Sequence, residues 1–214
     1  MLSKIEVIRA GFGGKSIGRA LFNDSVARHC AHMSGRVLDI AGGASPGYVT
    51  LLPREIDLVR TNYLASDGVT RVDFNEPLPF DDRSFDSVLF YNAIYIAERP
   101  DTLLREIVRV LKPGGTLYLS SPFIANEMPE PHDYVRFTAE GLERVCRGAG
   151  FSNISIHRYG ERGSAAMGLL APFLVFNVLR GLAYPCALAL DALVPRRVRE
   201  SHPCPLFYFV ICNV

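Results

Sequence analysis

The stretch that decides the fold reads Val37-Leu38-Asp39-Ile40-Ala41-Gly42-Gly43-Ala44-Ser45-Pro46-Gly47. It opens as an apolar run that contains one acid, and a loop of small residues follows. Such a run is typical of a strand buried in a parallel sheet, and glycines at its end let the backbone approach a ligand closely. The stretch predicts a ligand-binding loop at a sheet edge, or more simply a tight turn at Gly42-Gly43.

Outward from this stretch, short apolar runs alternate with turns and amphipathic connections. The predicted strands are Arg36–Ile40, Ile56–Thr61, Val69–Val72, Asp86–Tyr91, Gly115–Ser121, Ser152–His157 and Leu206–Ile211. The runs near Val37, Val88 and Leu117 are apolar at consecutive positions, as strands covered on both faces require. The predicted fold class is therefore α/β, with a Rossmann-like, doubly wound sheet of seven mostly parallel strands.

Three helices are predicted, one before the first strand and two between later strands. Pro100–Leu111 is amphipathic and is followed by the stop signal Lys112-Pro113-Gly114-Gly115. Thr138 is a candidate N-cap for a helix that Gly148 and Gly150 end, and Leu21–Met33 is the third helix. The connection 62–68 is too short for a helix with its turns, so the crossover between the second and third strands is predicted to be abbreviated.

Composition excludes several classes of protein. The chain has 214 residues, 49% of them hydrophobic, a formal net charge of +1 and a mean hydropathy of +0.15. These values argue against disorder, collagen and coiled coils, and the near-neutral charge argues against a nucleic-acid partner. Five scattered cysteines and the absence of a signal-peptide pattern predict a reducing, cytoplasmic setting. No metal site is predicted, because among the five histidines only His29 and His32 are closely spaced, and this pair suits a helix surface.

Two other glycine runs do not complete a nucleotide-binding motif. Gly14-Lys15-Ser16 ends like a phosphate-binding P-loop, but Arg9 stands where the pattern needs a glycine. Gly11-Phe12-Gly13 lacks the third glycine of a dinucleotide fingerprint, because Ser16 occupies that position. A flexible basic loop is the better interpretation here. An NAD-dependent enzyme is disfavoured as well, since no acid ends the second predicted strand.

A second block of motifs leads to a family resemblance. Residues 72–92 contain Val72-Asp73-Phe74, then Leu78-Pro79-Phe80, then Ser84-Phe85-Asp86 at the start of a strand, and Arg109–Gly115 reads RVLKPGG. In this order, from about Arg36 to Ser121, the chain resembles the class I S-adenosylmethionine-dependent methyltransferase family. The segment Pro131–Thr138, PHDYVRFT, resembles a motif of one bacterial branch of that family. The resemblance implies a single methyltransferase-like domain over 1–214 whose last strand is antiparallel.

The resemblance also implies roles for named residues. Asp39 with Ala41, Gly42, Gly43 and Ala44 would hold the methionine end of S-adenosylmethionine, and Asn62 would meet the ribose. Asp73 would accept from the adenine amino group and Phe74 would pack on the ring, while Tyr91, Asn92 and Ala93 would lie beside the sulfonium.

Three departures from the family pattern leave turnover open. Ala41 replaces a glycine, Asn62 replaces the acid that grips the ribose, and Tyr95-Ile96 replaces a Glu-His pair. The alternative is a non-catalytic methyltransferase-like binding protein that has lost turnover.

The expected reaction is methyl transfer to a small-molecule, lipid-linked or sugar acceptor. Such a reaction needs positioning, and it needs a base only if the nucleophile arrives protonated. The candidates for a base or for substrate contact are His132, Asp133, Tyr95, Arg136 and Tyr134. The simpler interpretation is structural, with His132-Asp133 in a turn and Arg136 paired with Glu140.

Surplus apolar residues are concentrated near the C-terminus. The insertion 163–200 contains the segment 164–194, whose only charges are Arg180 and Asp191, and a basic arm over 1–35 precedes the sheet. Two apolar helices, Met167–Leu179 and Leu182–Leu193, are predicted, with a break near Gly181–Pro185 and a stop at Pro195. Both are shorter than a bilayer span of roughly 20 residues. With arginines on its flanks, the segment suits peripheral contact with an anionic membrane, a lid over the sheet, or a homodimer interface.

Overall fold

The computed structural model describes residues 4–43, 46–62, 69–129 and 131–214, with side chains described from residue 6 onward. The helices are α1 (Lys4–Phe12), α2 (Ile17–His29), α3 (Pro100–Val110), α4 (Ala139–Ala149), α5 (Arg162–Leu169), α6 (Asn177–Leu193) and α7 (Arg196–Ser201). The strands are β1 (Arg36–Asp39), β2 (Asp57–Asn62), β3 (Thr70–Arg71), β4 (Phe85–Tyr91), β5 (Leu111–Pro122), β6 (Ser152–Tyr159) and β7 (Phe207–Asn213). Short 3₁₀ turns lie at Val49–Leu51, Ile94–Ile96 and Ala171–Phe173.

All seven strands form one sheet in the order β3-β2-β1-β4-β5-β7-β6. The pairs β2–β3, β1–β2, β1–β4 and β4–β5 are parallel, and the last strands are antiparallel, so the predicted fold class is confirmed. Asp39 pairs in register with Arg60 of β2 and with Leu89 of β4. The chain order reverses beside β1, and ligands bind at the carboxyl edge of such a reversal in open α/β sheets.

The centre of the sheet is fully buried because β1 and β4 carry apolar residues at consecutive positions. Leu38, Val88, Leu89 and Phe90 are each 0% exposed. Helix α3 presents Leu103, Leu104, Ile107 and Val110 as its buried residues. These two contributions make the core of the unit that carries the predicted cofactor residues.

Helix boundaries follow the local capping chemistry. Thr138 accepts a hydrogen bond from the Gly141 amide and Gly150 ends α4 at φ +112°, as predicted. Two other predicted boundaries differ from the structure. Helix α2 begins at Ile17, four residues before the predicted start, because Ser16 caps it through the Arg19 amide at 3.1 Å. Strand β5 begins at Leu111, directly after α3, so the predicted stop signal is the first part of a strand.

The predicted break near Gly181–Pro185 is wrong. Helix α6 runs through both residues, and the interruption lies at 170–176, where Pro172 starts a 3₁₀ turn. Gly181 serves close packing instead, since a Cβ there would lie 2.5 Å from the ring of Phe12 in α1. The apolar helices are therefore α5 and the longer α6.

The chain clusters into two compact units. The first comprises 1–29, 122–126 and 158–208, and the second comprises 30–121, 127–157 and 209–214. Most of the predicted N-terminal arm and insertion thus belong to one unit, while the sheet centre belongs to the other. Across the described ranges, no helix combines the length and apolar character needed to cross a membrane.

Candidate functional site

The predicted cofactor residues begin with a buried carboxylate at the end of β1. Asp39 is 0% exposed, and the Tyr48 hydroxyl donates a 2.6 Å hydrogen bond to its Oδ2. Its Oδ1 is buried and has no hydrogen-bond partner within the described part of the chain. Burial raises the pKa of Asp39 to about 6, and the Tyr48 hydrogen bond opposes this shift. The carboxylate thus has one oxygen available to a further donor.

The small-residue loop folds directly over this carboxylate. A Cβ on Gly42 would lie 2.0 Å from Asp39 Oδ2, so a side chain at this position is excluded by contact. Gly43 has φ +64°, and its amide donates to the Thr61 carbonyl at 3.3 Å. A Cβ on Gly43 would meet the Asn62 amide nitrogen at 3.5 Å. The loop therefore joins the ends of β1 and β2, while Ala44 lies outside the described residues.

The end of β4 completes this edge. The Tyr91 ring packs edge-on against Tyr48 at 5.1 Å, and its hydroxyl lies 3.1 Å from Cys30 Sγ. Burial raises the pKa of Tyr91 well above its ordinary value, so its phenol stays protonated. Asn92 has φ +49°, and its Oδ1 accepts a 3.0 Å hydrogen bond from the Ser120 hydroxyl. Ala93 follows and is 2% exposed.

The predicted adenine pair follows β3. Asp73 Oδ1 accepts from the Asn75 amide at 2.9 Å, which closes a turn. Phe74 is buried and packs edge-on against Phe90, with ring centres 5.6 Å apart. Phe74 is therefore held against β4 through Phe90, the residue before Tyr91.

An arginine in α3 fixes the Leu78–Asp82 turn. The Arg109 guanidinium donates to the carbonyls of Leu78 at 2.9 Å and Phe80 at 2.8 Å. It also pairs with Asp82 at 2.7 Å and with Glu106 at 2.8 Å. The Arg109 hydrogen bonds lower the pKa of Glu106. This arrangement explains why an arginine, a glutamate and a Leu-Pro-Phe turn occur together in the sequence.

The candidate acceptor residues form a separate cluster around 127–137. Asp133 and Arg136 make a bidentate ion pair, and Asp133 Oδ2 also accepts from the Met128 amide at 2.8 Å. The Arg136 guanidinium lies 5.1 Å from the centre of the Tyr95 ring. The Tyr134 amide donates to the Tyr95 carbonyl at 2.8 Å. This cluster holds the loop against the turn that follows β4.

The side chains of this cluster differ in pKa shift and in exposure to solvent. Hydrogen bonds from Arg136 lower the pKa of Asp133, while burial raises the pKa of Tyr95. His132 is exposed and stacks on Tyr134, with ring centres 5.2 Å apart and Tyr134 51% exposed. Arg136 pairs with Asp133, three residues before it, whereas Glu140 is the partner that the sequence suggests.

The structure thus brings together Asp39, Gly42, Gly43, Asn62 and Tyr91, and it groups Tyr95, Asp133 and Arg136 elsewhere in the same unit. Sequence reasoning missed Tyr48, whose only signal is a tyrosine directly after the small-residue loop. The described ranges contain no group of three or more His, Cys, Asp or Glu side chains that could hold a metal ion.

Comparisons with known proteins point to one domain type. Residues 44–119 match the family described as a methyltransferase domain. The phthiotriol/phenolphthiotriol dimycocerosates methyltransferase 1 of Mycobacterium ulcerans is 33% identical over 102 residues, 48% of this chain and 33% of that protein. The O-methyltransferase rstn1 of Aspergillus nomiae is 29% identical over 93 residues, 42% of this chain and 41% of that protein. The chain spans about a third to two fifths of the length of these relatives.

Solved structures share the fold at low identity. A SAM-dependent methyltransferase from Archaeoglobus fulgidus superposes with a TM-score of 0.62 at 17% identity, covering 92% of this chain and 94% of that one. The [4+2]-cyclase SpnF superposes with a TM-score of 0.59 at 19% identity, covering 94% and 84%. At these identities the likenesses show a shared fold, and residues 44–119 of that fold match the methyltransferase domain.

Proposed function

We propose that this chain transfers a methyl group from S-adenosylmethionine to a small-molecule, lipid-linked or sugar acceptor. The observation that carries the proposal is the buried Asp39 carboxylate, with an unpartnered Oδ1 beneath a glycine loop at the reversal of strand order. S-adenosylmethionine has an ammonium group, ribose hydroxyls and an aromatic base, and donors and acceptors for each are present at this edge. When bound it supplies an activated methyl group, and transfer leaves S-adenosylhomocysteine and, from a protonated nucleophile, one proton.

Roles on the cofactor side follow the strand ends. Asp39 and the loop 41–44 bind the methionine end, and Asn62 hydrogen-bonds the ribose. Asp73 and Phe74 bind the adenine, and Tyr91, Asn92 and Ala93 lie beside the reacting sulfur. The buried Phe74–Phe90 contact supports an apolar wall at this place. The Ser120–Asn92 hydrogen bond supports a fixed strand end.

On the acceptor side, His132 is the proposed base because its imidazole is exposed and histidine is the side chain that most often acts as a general base. Asp133 and Arg136 satisfy one another, so we assign them to positioning the loop. Tyr95 lies under the Arg136 guanidinium and is proposed as a contact for the acceptor. None of these groups is needed as a base if the nucleophile arrives deprotonated.

The name of one relative also supports the proposed class of methyl acceptor. The Mycobacterium ulcerans protein is named for phthiotriol and phenolphthiotriol dimycocerosates, and this supports a small-molecule or lipid-like acceptor here. Cytoplasmic location and a homodimer are further proposals. Peripheral membrane contact through 164–194 is a third proposal.

Isothermal titration with S-adenosylhomocysteine tests the cofactor site directly. We expect saturable binding by the wild-type chain, and at least about tenfold weaker binding after Asp39→Ala, which removes a buried ligand-facing carboxylate. NAD+ titrated under the same conditions serves as the comparison and should give no heat. No heat with S-adenosylhomocysteine at high micromolar concentration contradicts the proposal.

A non-catalytic binding protein is the second candidate, because the same fold supports other chemistry, as the [4+2]-cyclase among the similar structures illustrates. Departures at Ala41 and Asn62 favour it. It predicts S-adenosylhomocysteine binding without transfer from labelled S-adenosylmethionine to any acceptor in a small-molecule or lipid extract. Transfer that His132→Ala abolishes would exclude this candidate.

A further inference from the structure

An unusually apolar surface covers the region 169–193 of the first unit. Phe173 is 76% exposed, Phe176 is 68% exposed and Leu193 is 76% exposed. The other large exposed apolar side chains of this region are Leu169, Leu170, Val175, Val178, Leu179, Leu182 and Leu190. Large contiguous apolar patches on a protein surface mark interaction sites.

Helix α6 shows why these side chains cannot all be absorbed by the fold. Its buried face carries Gly181, Tyr184 and Ala187, and the last two belong with Val7 and Ile17 to one apolar cluster. Its opposite face carries Leu179, Leu182, Cys186, Leu190 and Leu193, spaced three or four residues apart, and all are exposed. A helix at the surface of a globular protein is normally polar on this second face.

Charge is also excluded from this surface. Within 164–194 the two charged residues are Arg180 and Asp191, and both are partly buried. Arg180 donates to the carbonyls of Leu174 at 2.6 Å and Gly14 at 2.7 Å, and Asp191 accepts from the Gly163 amide at 2.6 Å. Both charges therefore serve the internal structure of the unit.

Positive charge borders the apolar surface. Helix α7 follows α6 after two residues and exposes Arg196, Arg197 and Arg199. One acid of this helix, Glu200, pairs with Arg196 at 2.7 Å, which leaves an excess of positive charge. Exposed apolar side chains with arginines at their border fit the interface of a membrane that contains anionic lipid.

We propose that the surface formed by 169–193 and α7 docks peripherally on an anionic lipid membrane. Phe173, Phe176 and the outer leucines of α6 enter the interface between headgroups and acyl chains, and the arginines of α7 bind lipid phosphates. A second copy of the chain could also cover the apolar side chains, and the arginines at their border favour an anionic lipid surface as the occupant. The proposal is independent of methyl transfer, because its test uses neither cofactor nor acceptor.

The chain contains no tryptophan, so one introduced indole reports on its own surroundings. We expect Phe173→Trp and Phe176→Trp to show a blue-shifted emission with vesicles of phosphatidylcholine containing 30% phosphatidylglycerol. Brominated acyl chains should quench this emission. Arg144→Trp, at an exposed position of α4 in the other unit, is the control and should show neither effect. Unchanged emission at both phenylalanine positions overturns the proposal.

Flotation of the full chain with the same vesicles tests the two parts of the surface. Phe173→Ser combined with Phe176→Ser should weaken binding at least about tenfold, because exposed apolar side chains are lost without disturbing the core. Arg197→Glu should weaken binding by about tenfold, while Arg144→Glu leaves it unchanged. Equal binding to pure phosphatidylcholine contradicts the role of the arginines. Light scattering tests the alternative of a second copy. If the wild-type chain is a dimer that does not float with the vesicles, and if the double serine variant is a monomer, the proposal is overturned in favour of a second copy.

Discussion

The Tyr48 hydroxyl hydrogen-bonds Asp39 at 2.6 Å, at a point where the carboxylate is wholly buried. The same tyrosine ring packs edge-on against Tyr91 at the end of β4. One side chain thus connects the loop after β1 to the neighbouring strand. It satisfies Oδ2 of Asp39, whereas Oδ1 has no hydrogen-bond partner within the described residues.

The buried Asp39 predicts a measurable dependence of stability on pH. Its pKa is about 6 in the folded state against an ordinary value of 3.8, so the folded state binds the proton more tightly. This contribution to stability is present at low pH and is lost as pH rises through about 6, and the buried charge costs about 3 kcal/mol at pH 7. Asp39→Asn should therefore gain roughly this much relative to wild type between about pH 4 and 7 in urea unfolding.

Tyr48→Phe is the companion variant for this measurement. Removing the hydroxyl takes away the hydrogen bond that holds the Asp39 pKa down, so the pH midpoint of the stability loss should move upward. An identical pH profile for wild type and Asp39→Asn would show that Asp39 does not titrate as described.

Gly42→Ala should abolish cofactor binding and destabilise the fold by about 1–3 kcal/mol, because its Cβ would lie 2.0 Å from Asp39 Oδ2. Gly148→Ala in α4 is the matched control. A Cβ there meets nothing within 4 Å, and alanine is a better helix former by about 1 kcal/mol. Thermal unfolding and S-adenosylhomocysteine titration of both variants measure the contrast. Retention of binding by Gly42→Ala would place the ligand away from this loop.

Asp133→Asn should lower the free energy of unfolding by about 1–3 kcal/mol, because it removes the charge of a bidentate partner of Arg136. The Asp133 side chain is only 9% exposed, so water replaces little of this interaction. In the wild type this stabilisation is present at neutral pH, and it is lost as pH falls through the lowered pKa of Asp133. Glu143→Gln, in an exposed pair with Arg147, should cost only about 0.3–0.5 kcal/mol. Equal costs for the two variants would argue against a positioning role for the Asp133–Arg136 pair.

Arg109→Lys should destabilise the chain by about 1–3 kcal/mol, because a lysine cannot donate simultaneously to Leu78, Phe80, Asp82 and Glu106. The control Arg105→Lys, in an exposed pair with Asp101, should stay within about 0.5 kcal/mol. Urea unfolding of both variants gives the two values. A small effect at Arg109 would mean that the Leu78–Asp82 turn is fixed by other contacts.

Elements that are fixed by residues close together in the sequence could be predicted, and elements that depend on contacts between distant residues could not. Strands β1 and β4 and helix α4 were predictable because buried runs and caps such as Thr138 act within a few residues. Helix α2 begins four residues before its predicted start because Ser16 caps it. The predicted break in α6 is wrong because Gly181 and Pro185, which usually end a helix, lie inside it, and the glycine lets the Phe12 ring pack closely against the helix.

The buried strands and the family resemblance follow from the sequence alone, since periodicity and motif order are local properties of the chain, and the same patterns predict the residues of the proposed cofactor site. Only the tertiary structure decided how these residues are partnered. Tyr48 meets Asp39 across nine residues, and Arg109 meets Phe80 across twenty-nine. Such partners depend on burial and on distances between separate elements, and no local pattern encodes either.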